Sequence, residues 1–582
     1  MGALRSETIR GTRVAAPKGR YVLAGIAAVA LIGIAAAIAF NRMTDPDKLR
    51  KLAREKALAA LSRDVTIGDI SLRLLPWPLL SATGVDIADV AGEADPWHLH
   101  ADKLEVTLAF WPLLSGNAKP SAVNVEGDIT RRGHKLHVVA SLDDVTGRGE
   151  PDAASEGRLD LDFGKTRILV NGRIPLQAKL RGASFATQLD SPDLNDLFGF
   201  LGMPRPRPTA PAHATWKVRD AGERIDVLDV DAVLGQHKAT ADARIATTGP
   251  QPVIDARLGL ERIDWAQLLL DSGGEPLGPL PADEIFHDRP LAWKYLVALH
   301  GQQGTIDLKV GSLHLRNGVE LRQVKADMAF DGDKLHIRKY AANLLGGSAS
   351  GTMQFEGAKQ AVQLTLEGKD LLLERWFKER GRATPFTGGP MAITAKLGST
   401  GGSMRDLSKS VTGLIDIRMG PGILASQKAG DAEAVMLAFS KKDSTGRIDF
   451  ECAGAHLPFV KGIASGDGIV GARTDFMRLL ASGHVSYVDN SVELLGRLRP
   501  KPGSGVGLAS IAGDIRIGGN LRAIKTTLDP ASAGKAAVRA GVAVATLGLS
   551  LAGGVAANNA RADTDPCEAV FAKNPGSVSS SK

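Results

Sequence analysis

Along most of this chain apolar residues recur at every second position, but its first sixty residues follow other rules. Arg5, Arg10, Arg13, Lys18 and Arg20 precede Tyr21–Phe40, twenty residues without a charge. As a helix rising 1.5 Å per residue, that stretch covers about 30 Å, the hydrocarbon thickness of a bilayer. The basic residues before it place the tail 1–20 in the cytoplasm and everything after Arg42 across the membrane. The run also fits a cleavable signal with Ala37-Ile38-Ala39 as the cleavage site. It exceeds the usual h-region of roughly 7–15 residues, which favours a retained transmembrane helix over 21–40. Asp45 and Pro46 suit an N-cap and first turn, and Leu49, Leu52, Ala53, Ala57, Ala60 and Leu61 follow at helical spacing. A juxtamembrane helix is expected over 44–62.

From Val65 the period becomes two. Val65 and Ile67 alternate with polar residues, as do Leu104, Val106, Leu108 and Phe110, then Leu159, Leu161 and Phe163. Ile306, Leu308 and Val310, Met328 and Phe330, Leu364 and Leu366, Ile415, Ile417 and Met419, and Ile515 and Ile517 continue the pattern. Asp160, Asp162, Asp307, Lys309, Asp416 and Arg418 lie between them, so each strand has one apolar and one wet face. Asn317-Gly318 and Asp331-Gly332 predict tight antiparallel hairpins. Short helices are expected at Ser191–Leu201, Ile263–Leu270 and Asp370–Phe377. Loops or module joints are expected at Val145–Gly157, Gly202–Ala212, Ser272–Pro290 and Gly381–Pro390. No repeat of fixed period argues for a propeller or solenoid. The β-rich region thus spans 65–530. Alternation alone fits both an open sheet with a solvent-facing apolar side and two sheets packed as a sandwich.

An apolar content of 44% is that of an ordinary folded protein. Of the formal charge of +7, residues 1–20 supply +4, from five Lys/Arg against one Glu. The remainder is nearly balanced and lacks an arginine-rich stripe, which argues against a nucleic-acid surface. Candidate chemistry is sparse. Gly466-Asp-Gly-Ile-Val-Gly471 has dinucleotide-binding spacing without a surrounding βαβ unit, and a β-turn is the expected structure. His98 and His100 share a strand face like a metal pair but have no evident third ligand, so solvent-side histidines are expected. No Walker A, HExxH, GxSxG or CxxC sequence occurs, so neither catalysis nor a metal or cofactor is expected.

Cys452 and Cys567 are the only cysteines. In an oxidising compartment they are a disulfide candidate, and the alternative is two unrelated thiols. A C-terminal apolar helix is expected over 531–558, before the tail 559–582. Its uncharged, Ala/Gly-rich core Ala540–Ala557 fits a second span, an interfacial helix or a packed one. Weak hydrophobicity and the flanking Arg539 favour the latter two.

A family resemblance runs through the whole chain. The span, the short helix and Val65-Thr-Ile-Gly-Asp-Ile-Ser-Leu-Arg-Leu-Leu-Pro-Trp-Pro-Leu79 resemble the opening of the AsmA family of envelope proteins. Asp193–Gly202, then Val319–Asp327, Gly332–Ile337 and Gly346–Gly351, resemble its internal helix and most recognisable meander. Gly483–Pro502, Gly513–Gly519, the Ala/Gly helix and Cys567 are similar to its closing region. The resemblance implies an inner-membrane-anchored periplasmic relative of bridge-like lipid transfer proteins, with phospholipid as cargo and links to the outer membrane or its assembly machinery. No catalytic residues come with it. The implied fold is mainly β: an elongated antiparallel sheet curved into an apolar groove, with short helices, one N-terminal transmembrane helix and an Ala/Gly-rich C-terminal helix. Leu104, Val106, Leu108, Phe110, Leu159, Leu161, Phe163, Ile306, Leu308, Val310, Met328 and Phe330 are then the expected lipid-groove lining. A scaffold or assembly factor for outer-membrane proteins is the alternative function.

Overall fold

A computed structural model describes Lys51, Arg54, residues 65–528 with breaks chiefly at 88–96, 146–153, 202–209, 268–279, 294–301, 426–446 and 502–513, and residues 565–571. The expected basic tail 1–20, transmembrane helix 21–40, C-terminal apolar helix 531–558, and nearly all of helix 44–62 and tail 559–582 lie outside the described residues. Among the described residues no helix is long and apolar enough to cross a membrane.

The chain divides into two compact units, the first ending at Thr248 apart from 267–275, the second holding the rest. The first unit is a run of hairpins. It comprises β1 (Val65–Arg73), β2 (Leu79–Ile87), β3 (Trp97–Leu108), β4 (Pro120–Arg131), β5 (His134–Asp143) and β6 (Ala154–Phe163). It continues with β7 (Thr166–Pro175), β8 (Ser184–Ser191), β9 (Ala212–Asp220), β10 (Arg224–Leu234) and β11 (His237–Ala246). Each strand pairs antiparallel with the next. Among the described residues two helices interrupt the run, α1 (Phe110–Leu114) and α2 (Asn195–Leu201). Helix α2 lays Phe200 against Phe163, ring centroids 5.2 Å apart and edge to face. It thereby joins a buried cluster that includes Val65, Val85, Val106 and Leu136.

The second unit begins with β12 (Val253–Asp264), β13 (Gln303–His314), β14 (Glu320–Asp331), β15 (Lys334–Leu344), β16 (Gly347–Glu356) and β17 (Ala361–Leu372). Helix α3 (Leu373–Glu379) leads to β18 (Phe386–Gly388) and β19 (Pro390–Thr400), and α4 (Met404–Ser410) to β20 (Thr412–Met419) and β21 (Gly422–Ala425). The unit closes with β22 (Arg447–Val460), β23 (Ile463–Thr474), β24 (Met477–Ser486), β25 (Ser491–Pro500), β26 (Asp514–Asn520), β27 (Ala523–Leu528) and the separate helix α5 (Pro566–Ala569).

The sheet is antiparallel as expected, with one parallel pair within it. β12 and β13 pair in parallel from Val253↔Gln303 to Asp264↔His314. The long connection 265–302 makes this possible, because parallel neighbours need a crossover rather than a hairpin. Part of that connection is an ordered strap. Leu291 N–H donates to the Gly402 carbonyl at 2.7 Å, and Trp293 Nε1 to the Gly401 carbonyl at 3.0 Å. Arg405 meets Glu284 at 2.9 Å, and Asn490 and Asn520 both donate to the Asp283 carbonyl, at 3.1 and 3.0 Å.

Other boundaries moved for local reasons. β12 carries Ile263 as a strand residue, and β17 carries Asp370, so helices do not begin there. The loop expected over Gly381–Pro390 holds β18 and opens β19. Gly389 and Gly420–Pro421 bend the paired strands together, with Gly389 N–H donating to the Pro421 carbonyl and Gly420 N–H to that of Pro390, both at 2.9 Å. Gly466–Gly471 forms a bulge within β23 rather than a turn: the register slips between Gly466↔Gly483 and Val470↔Ala481, and Gly468 takes φ +61°. Similar bulges in β10, β14, β15 and β17 twist and bend the strands that carry them. Helix α4, which the alternation did not announce, is started by a Ser403/Asp406 capping box.

Candidate functional site

Residues opposite one another in a ladder point to the same side of the sheet, so the register defines each face. In the first unit one rung runs Ala82, Leu104, Val125, Ala140, Leu159, Val170, Thr187, Trp216 across eight strands. In the second, Leu258, Leu308, Ala326, Tyr340, Gly351, Leu366, Ala395, Ile415 and Leu457 align across nine. A parallel rung there joins Ala256, Ile306, Met328, Ile337, Met353, Leu364 and Leu397. Tyr340 is the one phenol in these rungs. Register places it on the apolar side, its hydroxyl donates to the Thr365 carbonyl at 2.9 Å, and desolvation pushes its pKa up.

Coverage of this face is uneven. In β1–β5 most apolar side chains of this face are buried, with Val106 fully enclosed, while Ile70, Ala140 and Leu142 are half-buried. Leu159, Leu161, Ile168, Val170 and Leu189 in β6–β8 are only half-buried. In the second unit, Ile306, Leu308, Met328, Ile337, Met353, Leu364 and Leu366 are likewise half-buried, whereas β22–β26 again form closed clusters around Met477, Leu479, Ala481 and Ile515. None of the buried clusters draws a fully buried member from β12–β19. A sandwich would enclose that face under a second sheet.

The opposite face is wet and ionic. Asp86, His100, Asp128, His137, Asp162, Arg167, Asp190 and His213 stand directly opposite one another from β2 to β9, acids alternating with bases. His100 Nδ1 lies 2.6 Å from Asp86, and this hydrogen bond raises the imidazole pKa. Arg167 donates to Asp160 at 3.0 Å through Nε and holds that carboxyl below its usual range. His98 is exposed, 3.4 Å from the same Asp86. The two histidines therefore belong to a charge ladder of the outer face.

The tail is clasped to the polar face of the second unit, the side of β20 that carries Asp416 and Arg418. Cys452 on β22 is disulfide-bonded to Cys567 on α5, 115 residues away. Asp565 caps α5 and pairs with Arg473, which also meets Glu451 at 2.6 Å. Lys501 hydrogen-bonds Glu451 at 2.5 Å and lowers the pKa of its carboxyl. Arg418 lies 3.7 Å over the Phe571 ring. Gly454 and Gly471 permit the approach, since a Cβ at Gly471 would collide with the Pro566 carbonyl. Among the described residues the one grouping of potential metal ligands is Cys452, Asp565 and Cys567. Its sulfurs are bonded to each other, which leaves a single carboxylate and does not fit a metal.

Of the expected lining residues, Leu104, Val106, Leu108, Phe163, Val310 and Phe330 share the apolar faces but are buried. Leu159, Leu161, Ile306, Leu308 and Met328 are half-buried. Phe110 departs from the pattern: β3 ends at Leu108, and Phe110 opens α1, 36% exposed. Pro112 has no N–H to offer a ladder, so the strand stops before it. The sequence predicts a loop or module joint at Ser272–Pro290 but not the docking of this strap along the sheet. Its aromatic residues sit on the apolar side of one rim, Trp293 beside Phe355 at 6.4 Å and Phe286 beside Tyr487 at 5.8 Å, with Tyr487 stacked on Phe459 at 4.9 Å. Trp and Phe at irregular spacing within a Pro-rich stretch were its only signal.

The AsmA family model matches residues 17–153 and 287–467, together more than half of the 582 residues. No curated protein sequence matches the chain.

Proposed function

The chain belongs to the AsmA family, and on that premise we propose that it is a non-catalytic, inner-membrane-anchored periplasmic protein of outer-membrane biogenesis that carries phospholipid along its apolar β face. The observation that carries this reading is the half-covered apolar face of β6–β8 and β12–β19. Exposing the tails of a diacyl lipid to water costs about 0.8 kcal/mol per methylene, so roughly 20 to 25 kcal/mol for some 30 methylenes as an upper bound. A face that leaves apolar side chains partly open can contact those tails while the headgroup remains in water. The charge ladder on the other face keeps that side hydrated.

The closed clusters of β1–β5 and β22–β26 favour a second reading at those places, a packed scaffold serving outer-membrane protein assembly. Native mass spectrometry of the full-length protein, extracted from membranes in mild detergent, separates the two. The conduit predicts one or more diacyl phospholipids retained after detergent removal in the gas phase. A protein that is folded yet carries none overturns it and leaves the scaffold.

A further inference from the structure

The two most exposed large apolar side chains among the described residues are both tryptophans, Trp111 at 79% and Trp77 at 67%. They stand at one corner of the first unit. Trp77 lies in the β1–β2 connection, and Trp111 in α1 between β3 and β4. Leu108 N–H donates to the Pro78 carbonyl and Ala109 N–H to that of Lys119, both at 2.8 Å, which fixes the two connections side by side. Phe110, itself exposed, meets Trp111 edge to face at 5.7 Å. Neither Leu74–Pro78 nor Phe110–Leu114 carries a charge, while Arg73 and Lys119, both exposed, flank them.

We propose that this corner is a membrane foot: Trp77 and Trp111 enter the headgroup region of the bilayer that anchors the chain, with Arg73 and Lys119 against lipid phosphates. Tryptophan favours that region because its ring is apolar and its N–H still finds a wet partner. Basic residues beside it gain from anionic lipid. Only residues 41–64 separate the apolar run Tyr21–Phe40 from Val65. That is roughly 80 Å fully extended and about 36 Å as a helix, so the first unit is the part held within reach of the membrane. A protein partner fits less well. Three aromatic side chains of about 150–250 Å² each fall short of the roughly 800 Å² per side of a stable interface. The inference does not rest on lipid transport, since a scaffold could stand on the same foot.

The test uses full-length protein in nanodiscs of phosphatidylethanolamine and phosphatidylglycerol whose acyl chains are brominated near the glycerol end. Bromine quenches tryptophan fluorescence at short range. Quenching is expected in the wild type and is expected to fall at least twofold in W77F/W111F, a conservative change at exposed tips. No quenching in the wild type, or equal quenching in the double variant, would overturn the foot. In cells, a benzophenone amino acid at position 77 or 111 should yield phospholipid adducts. A discrete protein adduct without lipid would overturn the proposal and identify a docking patch instead. Lipid capture at Leu308 is a separate readout, so failure of the foot leaves the transport reading standing.

Discussion

Leu308→Glu is expected to leave the second unit folded while cutting phospholipid capture on its apolar face at least tenfold. Leu308 lies mid-strand between Leu258 and Ala326, and its side chain is half-buried. A carboxylate there can keep part of its hydration shell, so the fold loses far less than it would for a charge sealed in a core. An acyl chain sliding past must strip that shell, which costs several kcal/mol, whereas a tenfold loss needs only about 1.4 kcal/mol. Val106→Glu is the contrasting variant. Val106 is fully enclosed in the first unit's cluster, and an unpaired charge there should unfold that unit. Circular dichroism and denaturant titration of both variants, read beside lipid retention, check the pair. Equal unfolding at both positions would mean that Leu308 also lies in a closed core.

Cys452→Ser/Cys567→Ser is expected to lower the stability of the second unit by about 4 to 5 kcal/mol, because the bond closes a loop of 115 residues. This magnitude is the entropy that the crosslink removes from the unfolded chain. The remaining clasp is ionic and aromatic, through Arg473 with Asp565 and Arg418 over Phe571. Part of the loss should therefore appear first as release of the segment around α5, seen as faster proteolysis after residue 528. Guanidinium titration with and without reductant measures the rest. An unchanged midpoint on reduction, or two alkylatable thiols in non-reduced, denatured protein, would contradict this account. Because α5 docks on the polar face, lipid retention should survive the substitution at temperatures where the unit stays folded.

The strands were legible because a two-residue period reports a half-buried sheet whatever it packs against. Asp331-Gly332 likewise announced its hairpin, where Gly332 takes φ +60°. Partner and direction were less legible. The parallel β12–β13 pair depends on a long crossover, and residue type does not encode which way the chain re-enters. Bulges at Asp229, Gln323 and Asp370 depend on single residues with positive φ, which break the alternation without leaving a compositional mark. Gly466–Gly471 was read as a turn because glycine density is shared by turns and bulges. Phe110 continued the alternation of β3 on paper, but Pro112 two residues later ended the ladder. The lining was legible as a face but not as a degree of burial. Leu104 and Leu308 look alike in sequence, and only the packing around them separates a buried rung from an open one. The clasp of α5 needed a contact 115 residues away, for which the two cysteines were the only clue.

Photo-crosslinking in cells tests the central claim most directly, with benzophenone amino acids placed one at a time along β6 and β13. Leu159, Ile306 and Leu308 lie on the apolar face, and Arg158, Asp307 and Lys309 alternate with them on the other. The account predicts phospholipid adducts at the first three positions and none at the other three. Adducts of equal yield on both faces, or none at Leu308 in a protein that is folded and membrane-bound, would contradict it.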